Sequence, residues 1–563
     1  MHDLLCVSGG TVYDPANGID GEVRDLWIEN GRIVAAPAHP STKASRTIDA
    51  TGLIVMPGGV DMHCHIAGPK VNAARRMCVG PPSRGGFSER ASAEGIASRA
   101  ARLAAPTRSG TAGPVPSTFI TGYQYAGLGY TTAMDAAVPP LLARHAHMEL
   151  ADTPCLDKGF YALLGNNHFI MRAIAERRPE RLRAFLAWLL GAVKAYAPKL
   201  VNPGGVEVWK QGGGNVASLD DRVPHFDVTP RQIIGHVARA ANELGLPHPV
   251  HIHCNQLGMP GNWATTLETM GSLEGQRGHL THIQFHSYGG GEGEESSFRS
   301  QVQPLAEYIN THDNLTVDVG QVMFGQTVTM TGDSPLGYFL HKLTKGKWYS
   351  SDTELEAGCG IAPIRYRNKS LVHALQWAIG LEWYLLVEDP WRVAMSTDHP
   401  NGGSFLAYPE IIRLLMDRTY RADVLKQCPA EVRNRSLLAD LDREYTLAEV
   451  AIITRAGPAR ILGLRHKGHL GPGADADITI YTPHENPQTM FELPRIVIKV
   501  GEVIVENGEI RAAPAGTTLH AAPEYDHDLD ADIRDWVNDN YSVRFGNYVI
   551  GDEELADWQS SMA

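Results

Sequence analysis

The feature that most constrains this chain is a rhythm. Between residues 57 and 465, short β-type runs alternate with longer amphipathic helical patterns. Strands are expected near 60–65, 131–138, 159–165, 205–210, 249–254, 279–284, 314–318 and 392–397, with helices over 140–152, 180–197, 230–245, 301–312 and 370–386. Eight β/α units in succession, joined by right-handed crossovers, predict an α/β fold of the TIM type, a (β/α)8 barrel. Residues 1–56 and 466–519 are β-rich instead, with an Asn30-Gly31 hairpin turn near one end and Gly471–Asp477 before a strand near the other. They predict one small β-sandwich domain built from both termini. The expected organisation is therefore 1–56 plus 466–519 as sandwich, 57–465 as barrel and 520–563 as a C-terminal tail. The tail holds Trp536, Tyr541, Phe545 and Trp558 and is expected to pack. Two stretches, 66–122 and 319–368, are too long for plain connections and read as functional insertions.

Composition removes several classes. With 43% hydrophobic and 20% charged residues among 563, the chain is an ordinary globular one, and a net charge of -13 speaks against nucleic acid. The seven cysteines include no Cys-x-x-Cys pair, so neither a disulfide framework nor a zinc finger is signalled, and a cytoplasmic setting fits. The N-terminus lacks a signal peptide's pattern, and the best apolar helix, from Leu182, is broken by Arg183 and Lys194, so no membrane span is expected. The glycine clusters at 212–214 and 289–291 do not match a phosphate loop.

In such barrels chemistry sits at the C-terminal strand ends. The run Leu53–Met56 leads into Gly58-Gly59-Val60-Asp61-Met62-His63-Cys64-His65. Strand alternation turns Asp61, His63 and His65 one way and Cys64 the other. The fourth strand, read as Gly205–Lys210, ends in Lys210; the fifth ends in His253, the sixth near His282, and the eighth in Asp398. Imidazoles and a carboxylate on separate strand ends suit zinc. His286 competes with His282 for the sixth-strand role. His251 reads as a core or supporting residue, His279 as one that orients a ligand, and Cys64 and Cys254 as packing.

His-x-His on strand one, a lysine on strand four, histidines on strands five and six and an aspartate on strand eight resemble the amidohydrolase superfamily. Longer motifs narrow this. Asn202–Lys210, His251–Gly258, His279–Gly289, Ser396–Gly403 and Gly122–Thr132 resemble the A-type subunits of formylmethanofuran dehydrogenase and of the formyltransferase/hydrolase complex. The resemblance implies two zinc ions held by His63, His65, His253, His282 and Asp398 and bridged by a carboxylated Lys210. It implies hydrolysis or formation of the N-formyl amide of a methanofuran or methylofuran-type carrier, with Asp398 moving the proton. Partners would be formyltransferase and B- and C-type subunits, and Ala- and Arg-rich stretches lean towards the bacterial hydrolase over the archaeal dehydrogenase. Asn255 and His286 join as substrate-binding residues. So do Arg75 and Arg76, from a stretch where Lys70, Arg75, Arg76, Arg84, Arg90, Arg99, Arg102 and Arg108 face only Glu89 and Glu94, a basic lure for an anionic carrier tail. The rival readings are a cyclic amidohydrolase of dihydroorotase or hydantoinase type, and a non-catalytic scaffold subunit.

Overall fold

The structure, a computed structural model, describes residues 4–39, 43–77, 114–212, 214–291, 297–331, 333–345, 349–350, 356 and 360–555. Eight strands form one parallel sheet: β1 Gly59–Cys64, β2 Tyr130–Val138, β3 Asp157–Leu163, β4 Ala197–Val201, β5 Val250–His253, β6 Gly278–Leu280, β7 Leu315–Asp318 and β8 Val393–Ala394. Each pairs with the next in chain order, and a parallel bridge between Cys64 and His399 brings the last strand end back to the first. The His65 amide seals that seam by donating to the His399 carbonyl at 2.7 Å. Every residue of β1, β2, β3, β4 and β5 is buried, as expected for strands covered by helices outside and filled by side chains inside.

The helices begin where their caps stand. Pro230–Glu243 starts behind Thr229, which makes a reciprocal capping box with Gln232, and it buries Ile233, Ile234 and Val237 against the barrel. The lower barrel interior is plugged by Val60, Met62, Met134, Ala136, Tyr161 and Ile461.

Both termini enter one nine-stranded, mainly antiparallel sheet, joined where Ile54–Pro57 pairs with Ile478–Tyr481. Its own core holds Val7, Val12, Ile28, Val55 and Ile478. It is bound to the barrel by a buried ionic knot: Lys467 reaches Asp475 at 2.8 Å and Lys499 reaches Asp477 at 2.9 Å, and both lysines contact Asp157 at the start of β3. Asp157, Asp475 and Asp477 lie close enough to share a cation. The two ammonium groups already fill that role. The tail packs through Trp536 on Phe169 and Phe545 on Trp188, and Trp558 lies outside the described residues. No helix among the described residues is long and apolar enough to cross a membrane.

The second insertion builds a cap from the strands Gly325–Thr331, Tyr349–Ser350 and Gly360–Tyr366 and the helix Ser334–Thr344. The first contributes the helix Pro69–Met77; Arg84, Arg90, Arg99, Arg102 and Arg108 lie outside the described residues.

Candidate metal centre

The largest difference from the sequence reading concerns strand four. The run expected there is a short helix, Gly205–Lys210, and the strand lies earlier, at Ala197–Val201. Asn202 and Gly204 take left-handed backbones and turn the chain out of β4 into that helix. Lys210 therefore leaves the strand, and it does not line the cleft over the strand ends. It is partly exposed and paired with Glu207 at 3.0 Å. The lysine inside the barrel is Lys199, whose register partners are Leu163 on β3 and His251 on β5. It is 1% exposed, and its Nζ has no hydrogen-bond partner. Burial pushes its ammonium down to about 7, so the amine is half neutral at physiological pH. The alternation of Lys199, Leu200 and Val201 before Asn202-Pro203-Gly204 was the available signal.

A cleft opens over the strand ends, and Lys199 lines it with His63, His65, His253, His282 and Asp398. His63 Nε2 and His65 Nε2 lie 3.0 and 3.1 Å from Asp398 Oδ1. The rings of His253 and His282 are 4.7 Å apart, and those of His63 and His282 are 5.3 Å apart. His63, His282 and Asp398 offer ligand atoms close enough for one ion. Burial by itself would raise the Asp398 carboxyl; His282 and His63 beside it hold it well below the usual carboxylate range. His282 and Asp398 are both strained into left-handed backbones, φ 35° and 49°. Between them stands Gly320, where a Cβ would lie 2.4 Å from His282 Cβ.

The donor set passes a direct test for a metal. His63 Nε2, Lys199 Nζ, His253 Nε2, His282 Nδ1 and Asp398 Oδ1 are all buried polar atoms without a well-formed hydrogen bond, although His63 Nε2 approaches Asp398 Oδ1 at 3.0 Å and His253 Nε2 approaches Asp333 Oδ2 at 3.5 Å. Five such orphans converging on one cleft would each cost on the order of 1–3 kcal/mol if left so. A bound metal, which takes imidazole nitrogen and carboxylate oxygen, would satisfy the histidine and aspartate atoms among them. His65 adds Nε2 to the set, while its Nδ1 lies 3.8 Å from Asp135.

The remaining candidates fall elsewhere. Asp61 parts from the histidines: a register shift in β1 between Asp61 and Cys64 sends His63 inward, while Asp61 turns out to accept the hydroxyls of Tyr125 and Tyr408 at 2.6 and 2.5 Å. His286 is buried one turn beyond His282 with both ring nitrogens unpaired, but it does not line the cleft. Asn255 braces the loop after β4 by donating to Asn202 Oδ1 and the Pro203 carbonyl. Arg75 commits its guanidinium to the Pro116 and Ile66 carbonyls, Asn72 and Glu149, and Arg76 is exposed on the same helix. Neither arginine lines the cleft. The sequence reading missed the cleft's apolar wall, in which Leu257, Phe285, Met330, Leu336, Phe339 and Ile364 surround the polar Asn401 and Gln376.

Barrel, strand-end donors and companion sheet define a protein class. The chain belongs to the amidohydrolase family, whose sequence model matches residues 46–507. Within it, Protein FwdA of Methanocaldococcus jannaschii is 42% identical over 98% of this chain and 98% of that protein. The Fhc A-type component of the formyltransferase/hydrolase complex of Methylorubrum extorquens is 38% identical over 98% of this chain and 97% of that one. In the crystal structure of the formyltransferase/hydrolase complex FhcABCD from Methylorubrum extorquens, in complex with methylofuran, one chain matches with a TM-score of 0.87 and 38% identity, covering 98% and 97% of the two chains. The resemblance read from the sequence thus extends over nearly the whole chain.

Proposed function

We propose that this chain is a zinc-dependent amidohydrolase that interconverts the N-formyl amide of a methanofuran or methylofuran-type carrier with formate and the free amine. It would act as one subunit of a larger complex containing formyltransferase and B- and C-type subunits. The observation that carries the proposal is the convergence of five orphaned polar atoms beneath an apolar cleft. His63, His65, Lys199, His253, His282 and Asp398 would hold the metal pair. Lys199 would take the carboxylated-lysine role first expected at Lys210, because only a neutral amine reacts with carbon dioxide and burial supplies one. The likeness to a chain crystallised with methylofuran supports the carrier class. Identity is 42% to the archaeal relative and 38% to the bacterial one, and the proposal is the formyl-amide reaction itself.

Bound at this site, zinc would supply Lewis acidity and a water ionised near neutral pH. Asp398 accepts the water's proton and returns it to the amine nitrogen as the C–N bond breaks, a general base turned general acid. The apolar wall of Leu336, Phe339 and Ile364 holds the ring next to the amine and keeps bulk water from the reacting carbon. Formate and the free amine leave.

The test is formate release by the zinc-loaded chain, in its complex, from N-formylfurfurylamine and from the full carrier, with dihydroorotate and hydantoin as controls. Release of formate from the formyl amides alone is the expected result. Hydrolysis of the cyclic imides instead would move the chain to the dihydroorotase type, and no bound metal would make it a scaffold.

A further inference from the structure

Beneath the ligand set lies a row of buried imidazoles that the reaction does not use. His248, between Pro247 and Pro249 just before β5, is fully buried. Its Nδ1 is 3.0 Å from the Ile461 carbonyl, and its Nε2 is 2.9 Å from His251 Nδ1. His251 Nε2 is in turn 2.9 Å from His63 Nδ1. Three imidazoles are thus strung end to end from a backbone carbonyl to a candidate ligand.

The string has only one direction. A carbonyl oxygen accepts and cannot donate, so His248 carries its hydrogen on Nδ1. Neither ring has a carboxylate within hydrogen-bond distance to balance a second hydrogen, Asp318 Oδ2 standing 3.8 Å from His251 Nε2, so His248 and His251 carry one hydrogen each. His248 Nε2 is then a lone pair that accepts from His251 Nδ1. His251 Nε2 is left as a lone pair that accepts from His63 Nδ1. His63 Nε2, 3.0 Å from Asp398 Oδ1, is then the nitrogen free to join Asp398 on a metal. Asp318 Oδ2, 3.3 Å from His63 Nδ1, is an acceptor too and supports the same polarity; its other contacts are His251 Nε2 at 3.8 Å, His279, the His282 amide and the Ser396 hydroxyl. The Thr281 hydroxyl oxygen also touches His63 Nδ1 and can accept there. His63, His251 and Asp318 are close enough to hold an ion themselves. Every one of their facing atoms already has a hydrogen-bond partner, unlike the orphans above them.

We propose that His248 is a positioning residue: through His251 it locks His63 in the tautomer whose Nε2 can bind metal, with the Ile461 carbonyl as the fixed end of the string. The proposal rests on the reading of His63 as a zinc ligand. Groups that orient a ligand in this way typically change metal affinity by roughly 10–100-fold when removed.

The test uses the full chain and zinc as the probe. His248→Phe keeps the ring volume and removes both nitrogens. His248→Gln keeps a donor for the Ile461 carbonyl and an acceptor for His251. Zinc release to a chromogenic chelator should be at least about tenfold faster in the Phe variant and near wild type in the Gln variant. Imidazole 15N shifts of the wild-type chain, with and without zinc, should place hydrogen on Nδ1 of both His248 and His251. Hydrogen on Nε2 of either ring overturns the string whether or not the variants fold. Equal zinc release from wild type and His248→Phe, or equal losses in Phe and Gln, overturns it as well. A wild-type chain that binds no zinc would instead overturn the metal reading on which the proposal rests.

Discussion

Replacing Lys199 by Met should make the metal-free protein more stable while abolishing its metal site. In the metal-free fold the Lys199 amine has a pKa of about 7, pushed down from 10.5 by burial, and no hydrogen-bond partner. The folded state therefore binds fewer protons here than the unfolded chain between pH 7 and 10.5, and stability rises with pH across that window. At pH 7 this linkage destabilises the metal-free fold by about 4 kcal/mol relative to a neutral isostere. Methionine, unbranched and of similar length, removes that term without opening a large cavity. Calorimetry of chelator-treated protein should thus find Lys199→Met melting above wild type at pH 7, with the gap closing towards pH 10. Zinc per chain, read by plasma mass spectrometry, should fall, and formate release should fall with it. Lys210→Ala is the control: its partner Glu207 keeps His168 at 3.1 Å, and a partly exposed ion pair is worth about 1 kcal/mol or less. Full zinc and turnover in Lys199→Met, or their loss in Lys210→Ala, would refute the assignment of strand four's lysine.

Three further outcomes are expected. Asp398→Asn should keep the fold and lose about 10²–10⁴-fold in kcat, with any metal loss read separately by mass spectrometry; normal turnover with full zinc would remove Asp398 from proton transfer. Gly320→Ala needs a Cβ at φ +66° and 2.4 Å from His282 Cβ, so it should displace His282, lower zinc affinity at least about tenfold and cost roughly 1–3 kcal/mol, checked by chelator competition and thermal melting. Glu382, whose carboxyl burial raises to about 7, accepts the Leu437 amide at 2.6 Å and shares the Ser300 hydroxyl. A raised carboxyl contributes stability fully present below its unfolded value near 4.5 and lost as pH rises through 7. The wild-type melting temperature should therefore fall between pH 5 and 8 by more than that of Glu382→Gln, and parallel curves would contradict the burial argument.

Much of this protein is determined locally and can be read without coordinates. Strands buried on both faces must be continuously apolar, and amphipathic helices must return to cover them. That is why seven of the eight barrel strands fall where the alternation predicts, from Gly59–Cys64 through Val393–Ala394. A histidine or aspartate closing such a strand, as His65, His253 and Asp398 do, is carried to the barrel mouth by topology alone. Strand four shows where local reading stops. Lys199-Leu200-Val201 and Val206-Glu207-Val208-Trp209-Lys210 both alternate, and either could carry the working lysine. The choice is made by pairing: β3 and β5 take Ala197–Val201 into register between them, and the left-handed turn at Asn202 and Gly204 leaves the second run no edge to join. Strand alternation puts Asp61 on the wrong face for a related reason, because the β1 register shift that parts it from His63 exists only against β2. His248 has no motif at all; its place in the string depends on a carbonyl 213 residues away. Periodicity belongs to the chain, while register, bulges and the partner of a buried hydrogen are properties of the neighbours that folding brings to it.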